Sequence, residues 1–219
     1  MTLAPDHLLY AGPDLDQLAR QLKRLSGEPP VAGGRHAGLG THNALLGLGG
    51  EAYLEAIAPD PDQEGGVAAA SIAPLKAAEL HAWCVRTDDA DALERAIHAT
   101  GHGVRRSAMT RETRQGEVLS WELLFATDHG WAGAAPFFIH WGDTPHPAGR
   151  LEGDLRLRHL AVLQRDPDPL RAWLHDVGLA TGIDERVSID PAPGRGLRAD
   201  LVGRRGPFAL RGGGGGIVF

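Results

Sequence analysis

A chain of 219 residues with 42% hydrophobic content can bury a sizeable core, and its formal charge of -6 argues against nucleic acid or an anionic membrane as partner, because both need clustered Lys and Arg. A single cysteine, Cys84, excludes an intramolecular disulfide framework. No basic leader opens the chain and no apolar run approaches the ~18 residues of a membrane span, so a cytoplasmic protein is expected.

The opening stretch "DHLLYAGPDLDQLARQLKRL" reads as a short strand, a break, and a helix. Leu15, Leu18, Leu22 and Leu25 form a helical stripe, Asp14 is the expected N-cap after Pro13, and Gly27 with Pro29 ends the helix. "VAGGRHAGLGTH" reads as a glycine-rich loop, and the apolar runs flanking Gly49-Gly50 as a hairpin. The glycine-rich loop carries neither a G-x-G-x-x-G nor a G-K-[ST] pattern, so it gives no nucleotide signature. A linker rich in Pro, Asp and Gly follows, with a short helix expected before Pro74.

The opening order then recurs. "LHAWCVRT" is a strand and "DDADALERAIHATG" a helix capped by Asp88 or Asp89; "VLSWELLFAT" and "PFFIHW" are further apolar runs. "LRLRHLAVLQRDPDPLRAWLHDVGL" is again strand and helix, followed by two strands around a Gly-Arg-Arg-Gly turn and a terminal glycine run read as a disordered tail. Each copy opens on a histidine with an aspartate seven positions later: His7 and Asp14, His81 and Asp88, His159 and Asp166. Solenoid repeats run roughly 20–50 residues, shorter than these copies, so half-domains that pair are the better reading.

A strand opening with His, a helix soon after it, and three more strands resemble the βαβββ module of the vicinal oxygen chelate superfamily, which includes glyoxalase I and the extradiol dioxygenases. "DHLLYAGPDLDQL", "GGRHAGLGTHNALLGLG", "YLEAI" and "PFFIHW" together resemble its glyoxalase-like group over residues 5–143. The resemblance implies an α+β fold in which two modules, residues 1–62 and 80–150, pair into a cupped mixed sheet. Residues 63–79 link them, and 151–219 form a partial third module, βαββ-like, with a Gly-rich tail. It implies a divalent metal (Zn, Ni, Fe, Mn or Co) held by His7, Glu55, His81 and His140, with Glu122 and His146 as spare candidates. The function implied is that of a lyase, isomerase or dioxygenase on a small molecule with adjacent oxygens, Glu122 moving a proton. A metal-free binding or resistance protein on the same fold is the alternative, and a homodimer is compatible with either. Ligand contacts are expected from His36, His42, Asn43, Trp83, Trp121 and Phe138, with Trp141 a further wall of the pocket.

Overall fold

The computed structural model describes residues 1–112, 118–179 and 186–217. Strand β1 (Leu3–Ala11) leads into α1 (Leu15–Ser26), then β2 (Val31–His36), β3 (Thr41–Gly47) and β4 (Tyr53–Pro59). Asp14 caps α1 by accepting from the Gln17 backbone N–H, Gly27 ends it in the left-handed conformation, and Leu18 and Leu22 form its buried face. After a short helix α2 (Val67–Ile72), the order returns as β5 (Glu79–Thr87), α3 (Ala90–Ala99), β6 (Gly103–Glu112), β7 (Val118–Thr127) and β8 (Phe137–His140).

These strands form one eight-stranded sheet in the order β2-β3-β4-β1-β5-β8-β7-β6. In each half the first strand runs parallel to the last, and the halves meet along an antiparallel β1–β5 seam that sets His7 beside Cys84. The fold is therefore α+β, with paired βαβββ modules sharing one curled sheet. Alternation along the strands divides the side chains between two faces. Leu9, Ala11, Ile57, Ala82, Cys84, Leu123, Phe125, Phe137 and Ile139 cluster on the inner face, while Leu8, Tyr10, Leu54, Trp83, Val85, Leu124 and Phe138 pack on the helix-bearing face.

The segment expected to be a glycine-rich loop contains strand β2. Its residues are mostly exposed or half-buried, as an edge strand allows, so it lacks the apolar alternation by which strands are read. The expected linker does structural work as well. Ala68 and Ile72 of α2 are buried against the inner-face residues Leu9, Ala11 and Ile57, so the helix fills one end of the cup. It is tied down by the Ala69 N–H donating to the Leu39 carbonyl at 3.1 Å. A Cβ on Gly40, whose φ is +72°, would stand 1.7 Å from the Gly65 carbonyl oxygen. Gly40→Ala is accordingly expected to cost about 2 kcal/mol or more, from a strained φ plus a backbone collision, measured as a lower denaturation midpoint at unchanged slope.

The third segment runs β9 (Arg156–Gln164), α4 (Asp168–Asp176), β10 (Val187–Pro191), β11 (Gly196–Gly203) and β12 (Gly206–Gly212). Its sheet order is β10-β9-β11-β12, with β9 and β10 parallel neighbours, so the element order of a module recurs with a different strand arrangement. Leu160, Val162, Leu197, Ala199 and Leu210 share a core with Leu8, Tyr10, Leu22 and Trp83, which docks this sheet on the helix-bearing face. The glycine run after it is seated, where a disordered tail was expected. Gly133 N–H donates to Gly214 at 3.0 Å, Gly216 N–H donates to His81 at 3.1 Å, and Ile217 is buried in the inner-face cluster. Only glycine permits this approach: a Cβ on Gly212 would lie 2.1 Å from the Leu80 carbonyl. Among the described residues, no helix is long and apolar enough to cross a membrane.

Candidate active site

The part of the cup that α2 leaves open is a cleft with about 40 Å³ of free volume, room for about three waters at ~10–15 Å³ each. His7, His36, Asn43 and Glu55 give it polar groups, and Leu45, Tyr53, Met109, Trp121, Leu123, Phe137, Ile139 and Trp141 enclose them. Strand register explains the grouping. His7 pairs with Tyr53 and Leu9 with Glu55 across the parallel β1–β4 ladder, so His7, Tyr53 and Glu55 share the inner face.

His7 is held on both sides. Its Nδ1 lies 2.5 Å from Asp6 Oδ1, its Nε2 lies 3.6 Å from Glu55 Oε2, and its ring stacks on Tyr53 at 4.6 Å. Asp6 is the extra residue of a β-bulge: Pro5 pairs with Val85 and His7 with Cys84, leaving Asp6 without an opposite number. The irregularity is what lets consecutive side chains meet instead of pointing to opposite faces. The second oxygen of Asp6 accepts from Trp141 Nε1 at 3.0 Å and meets His146 Nε2 at 2.9 Å. Burial alone would raise the Asp6 carboxyl, but the hydrogen bonds and charges of His146 and His7 outweigh it and hold the group well below the usual carboxylate range. Glu55 Oε1 accepts from Asn43 Nδ2 at 2.7 Å, and Asn43 is oriented because its Oδ1 accepts from the Gly34 N–H at 2.8 Å. His36 Nδ1 sits 2.9 Å from the Thr41 hydroxyl, and its Nε2 is 3.9 Å from Glu55.

Of the four implied metal ligands, His7 and Glu55 come together and the other two lie elsewhere. The side chains that cap α1 and α3 are Asp14 and Asp89, not Asp88. Aligning those caps sets His7 against Ala82, so His81 is one residue out of phase. Its ring lies under the tail, where a Cβ on Gly215 would stand 2.6 Å from His81 Cε1, with Nδ1 on Glu79 at 2.8 Å. His140 falls on the helix-bearing side, because its neighbour Ile139 is the one that points into the cup. Glu122 pairs with His140 across β7–β8 and is engaged by Arg106, which also binds Asp91 and Glu94.

The ligand-contact residues divide in the same way. His36, Asn43 and Trp121 line the inner cleft. His42 faces an outer cleft beside Gly33, Gly34 and Arg35. Trp83 and Phe138 are core residues of the helix-bearing face, where Trp83 Nε1 donates to the Ala134 carbonyl at 2.9 Å. Asp6 and Tyr53 were not singled out from sequence. An acidic residue directly before His7 was the available signal for Asp6, but only the bulge makes the pair.

The four-ligand divalent centre of the superfamily does not fit these residues. The second module offers Ala82, Cys84, Phe137 and Ile139 on the face where its donors would have to stand. One ligand atom each from Asp6, His7 and Cys84 lies within 4.8 Å of the others. Yet His7 Nδ1 and Asp6 Oδ1 are hydrogen-bonded at 2.5 Å, closer than the roughly 3.4 Å between two donors about 2.0–2.2 Å from a tetrahedral ion. Burial first, then the Asp6 and Glu55 charges, push the Cys84 thiol well up.

Comparison with known proteins fits this architecture. The family model of the glyoxalase-like domain matches residues 6–178. No curated protein matches the sequence. Among solved structures, a hypothetical protein from Staphylococcus aureus has a TM-score of 0.66 at 19% identity, over 95% of this chain and 85% of that one. A methylmalonyl-CoA epimerase variant from Streptomyces coelicolor, in complex with 2-nitronate-propionyl-CoA, has a TM-score of 0.50 at 19% identity, over 67% of this chain and all of that one. At such identities the likeness concerns the fold alone. With more than half its length matched, the chain belongs to the glyoxalase-like domain family of the vicinal oxygen chelate superfamily.

Proposed function

We propose that the protein is a small-molecule enzyme of lyase or isomerase type, in which His7 moves a proton in the cleft while Glu55 holds the substrate. The observation that carries this reading is the buried line Asp6–His7–Glu55. With Nδ1–H donated to Asp6, the lone pair of Nε2 is left toward Glu55 and the cleft. A C–H beside a substrate carbonyl can then lose its proton to Nε2, its electron pair passing into the carbonyl. The ionised Asp6 balances the imidazolium, as an orienting carboxylate does for a histidine base. Return of the proton to the other face of the same carbon completes an epimerisation. In an α-hydroxycarbonyl compound, passage of the hydroxyl proton to the former carbonyl oxygen and return of the carbon proton to the former carbonyl carbon completes an isomerisation. Departure of a group with its bonding pair from the β carbon completes an elimination. The close walls limit the reacting part of the substrate to a few heavy atoms.

The test is hydrogen–deuterium exchange at carbons beside carbonyls, followed by proton NMR over a panel of small hydroxycarbonyl and dicarbonyl compounds, with metal content measured on the same protein. Exchange that falls about a hundredfold or more in His7→Ala, with no stoichiometric metal, is the expected result. Stoichiometric divalent metal whose chelation abolishes exchange would overturn it in favour of the superfamily's chelate chemistry. The aromatic walls also support a second reading, a small-ligand binding protein, which saturable binding without exchange would favour.

A further inference from the structure

A chain of hydrogen bonds with a single allowed direction ends on His7, and this inference rests on the proposed use of that histidine as a base. The chain starts at the Ala148 backbone N–H, which can only donate, and its acceptor is His146 Nδ1 at 3.2 Å. A neutral His146 then carries its proton on Nε2, the atom that meets Asp6 Oδ2 at 2.9 Å. Trp141 Nε1–H, likewise only a donor, enters the same oxygen at 3.0 Å. Asp6 therefore accepts on both oxygens, and the proton between Oδ1 and His7 Nδ1 belongs to the imidazole. A neutral His7 is left with a bare Nε2.

His146 also reaches the other support of His7. Its ring lies edge-on to Tyr53 at 5.7 Å, and Tyr53 stacks on His7 at 4.6 Å. The short segment that carries it stands between two clefts. Pro147 lines the inner one, Ala148 packs with Leu45 and Tyr53, and His146 borders an outer cleft beside Thr2, Glu51 and Arg86. Its side chain is 19% exposed against none for Asp6, so it can be replaced at less cost to packing. We infer that His146 is a positioning residue for the reaction: through Asp6 and Tyr53 it fixes the His7 ring with Nδ1 protonated and Nε2 bare toward the cleft. The two imidazoles that share one carboxylate are then opposite tautomers, Nδ1–H in His7 and Nε2–H in His146.

Long-range proton–nitrogen correlation NMR of the 15N-labelled protein reads both tautomers directly, at about pH 8.5, above the ordinary imidazole range. Opposite tautomers are expected in the unaltered protein. In His146→Leu, deuterium exchange of the fastest compound in the hydroxycarbonyl and dicarbonyl panel is expected to fall about tenfold or more, in kcat rather than KM. The same variant should show His7 in both tautomers. His146→Gln keeps a donor within reach of Asp6 and should restore a single His7 tautomer and exchange to within about threefold; a thermal melt confirms that each variant is folded. His7 as the Nε2–H tautomer, His146 as the Nδ1–H tautomer, or a folded His146→Leu protein that exchanges as fast as the unaltered one would overturn the inference. Should His146→Leu not fold, a folded His146→Gln protein that has lost the His7 tautomer overturns it, and one that keeps both tautomer and rate upholds it. Opposite tautomers without exchange on any compound of the panel would sink the proton-transfer reading and leave the positioning of His7.

Discussion

Asp6→Asn is expected to destabilise the protein by about 3 kcal/mol near neutral pH, and the loss should shrink as the solution is acidified. Asp6 is fully buried and receives His7, His146 and Trp141 on its two oxygens. An asparagine of the same shape keeps one acceptor and turns an amide toward the remaining donors. Hydrogen bonds to a charged group contribute about 1.5–3 kcal/mol each, and breaking a buried charged cluster by removing one partner costs about 3–5 kcal/mol. The pH dependence follows from the depressed folded-state carboxyl. Its unfolded value lies near 3.9, so its contribution is fully present above about pH 4 and is lost as pH falls toward the lower folded value. Urea midpoints for wild type and variant should therefore lie far apart at pH 7 and converge below about pH 4. Parallel curves down to strongly acidic pH would show that Asp6 is not held ionised by these partners.

How much of this site could be read in the sequence depends on where strand phase can be known. The stripe of Leu18 and Leu22 with Asp14 before it has a period and a cap, and both appear as read. His7 and Glu55 end on one face because the parallel ladder carries their strands in a common register. His81 shows the failure: with Asp88 and Asp89 both available as caps the phase is ambiguous, and Leu9 pairs with Ala82 while Tyr10 pairs with Leu80, so His81 is the extra residue of a bulge that simple alternation does not anticipate. His140 fails differently. Alternation correctly groups it with Phe138, but alternation cannot say which of two faces the pair occupies when both faces of the sheet are covered. Strand β2 was hidden by its glycines, and the Asp6 bulge by the absence of any local sequence rule that demands it.

The same two-sided burial makes Trp83→Ala the most damaging single truncation expected in the sheet, at about 3–5 kcal/mol. Trp83 is among the largest fully buried side chains, and its Nε1 donates to the Ala134 carbonyl. It points away from the cleft, into the core shared by Phe138, Leu160, Val162, Leu197 and Trp173, where the paired modules meet the third segment. Its loss therefore removes an indole from a junction, opens a cavity between two sheets, and strands a buried carbonyl. Its neighbour Cys84 faces the cup and carries only a small side chain, so Cys84→Ala should cost roughly 1 kcal/mol. Thermal unfolding of the two variants side by side measures the contrast. A Trp83→Ala protein that melts like wild type but has lost ligand binding would place the indole in the ligand's path, against the face its strand assigns it.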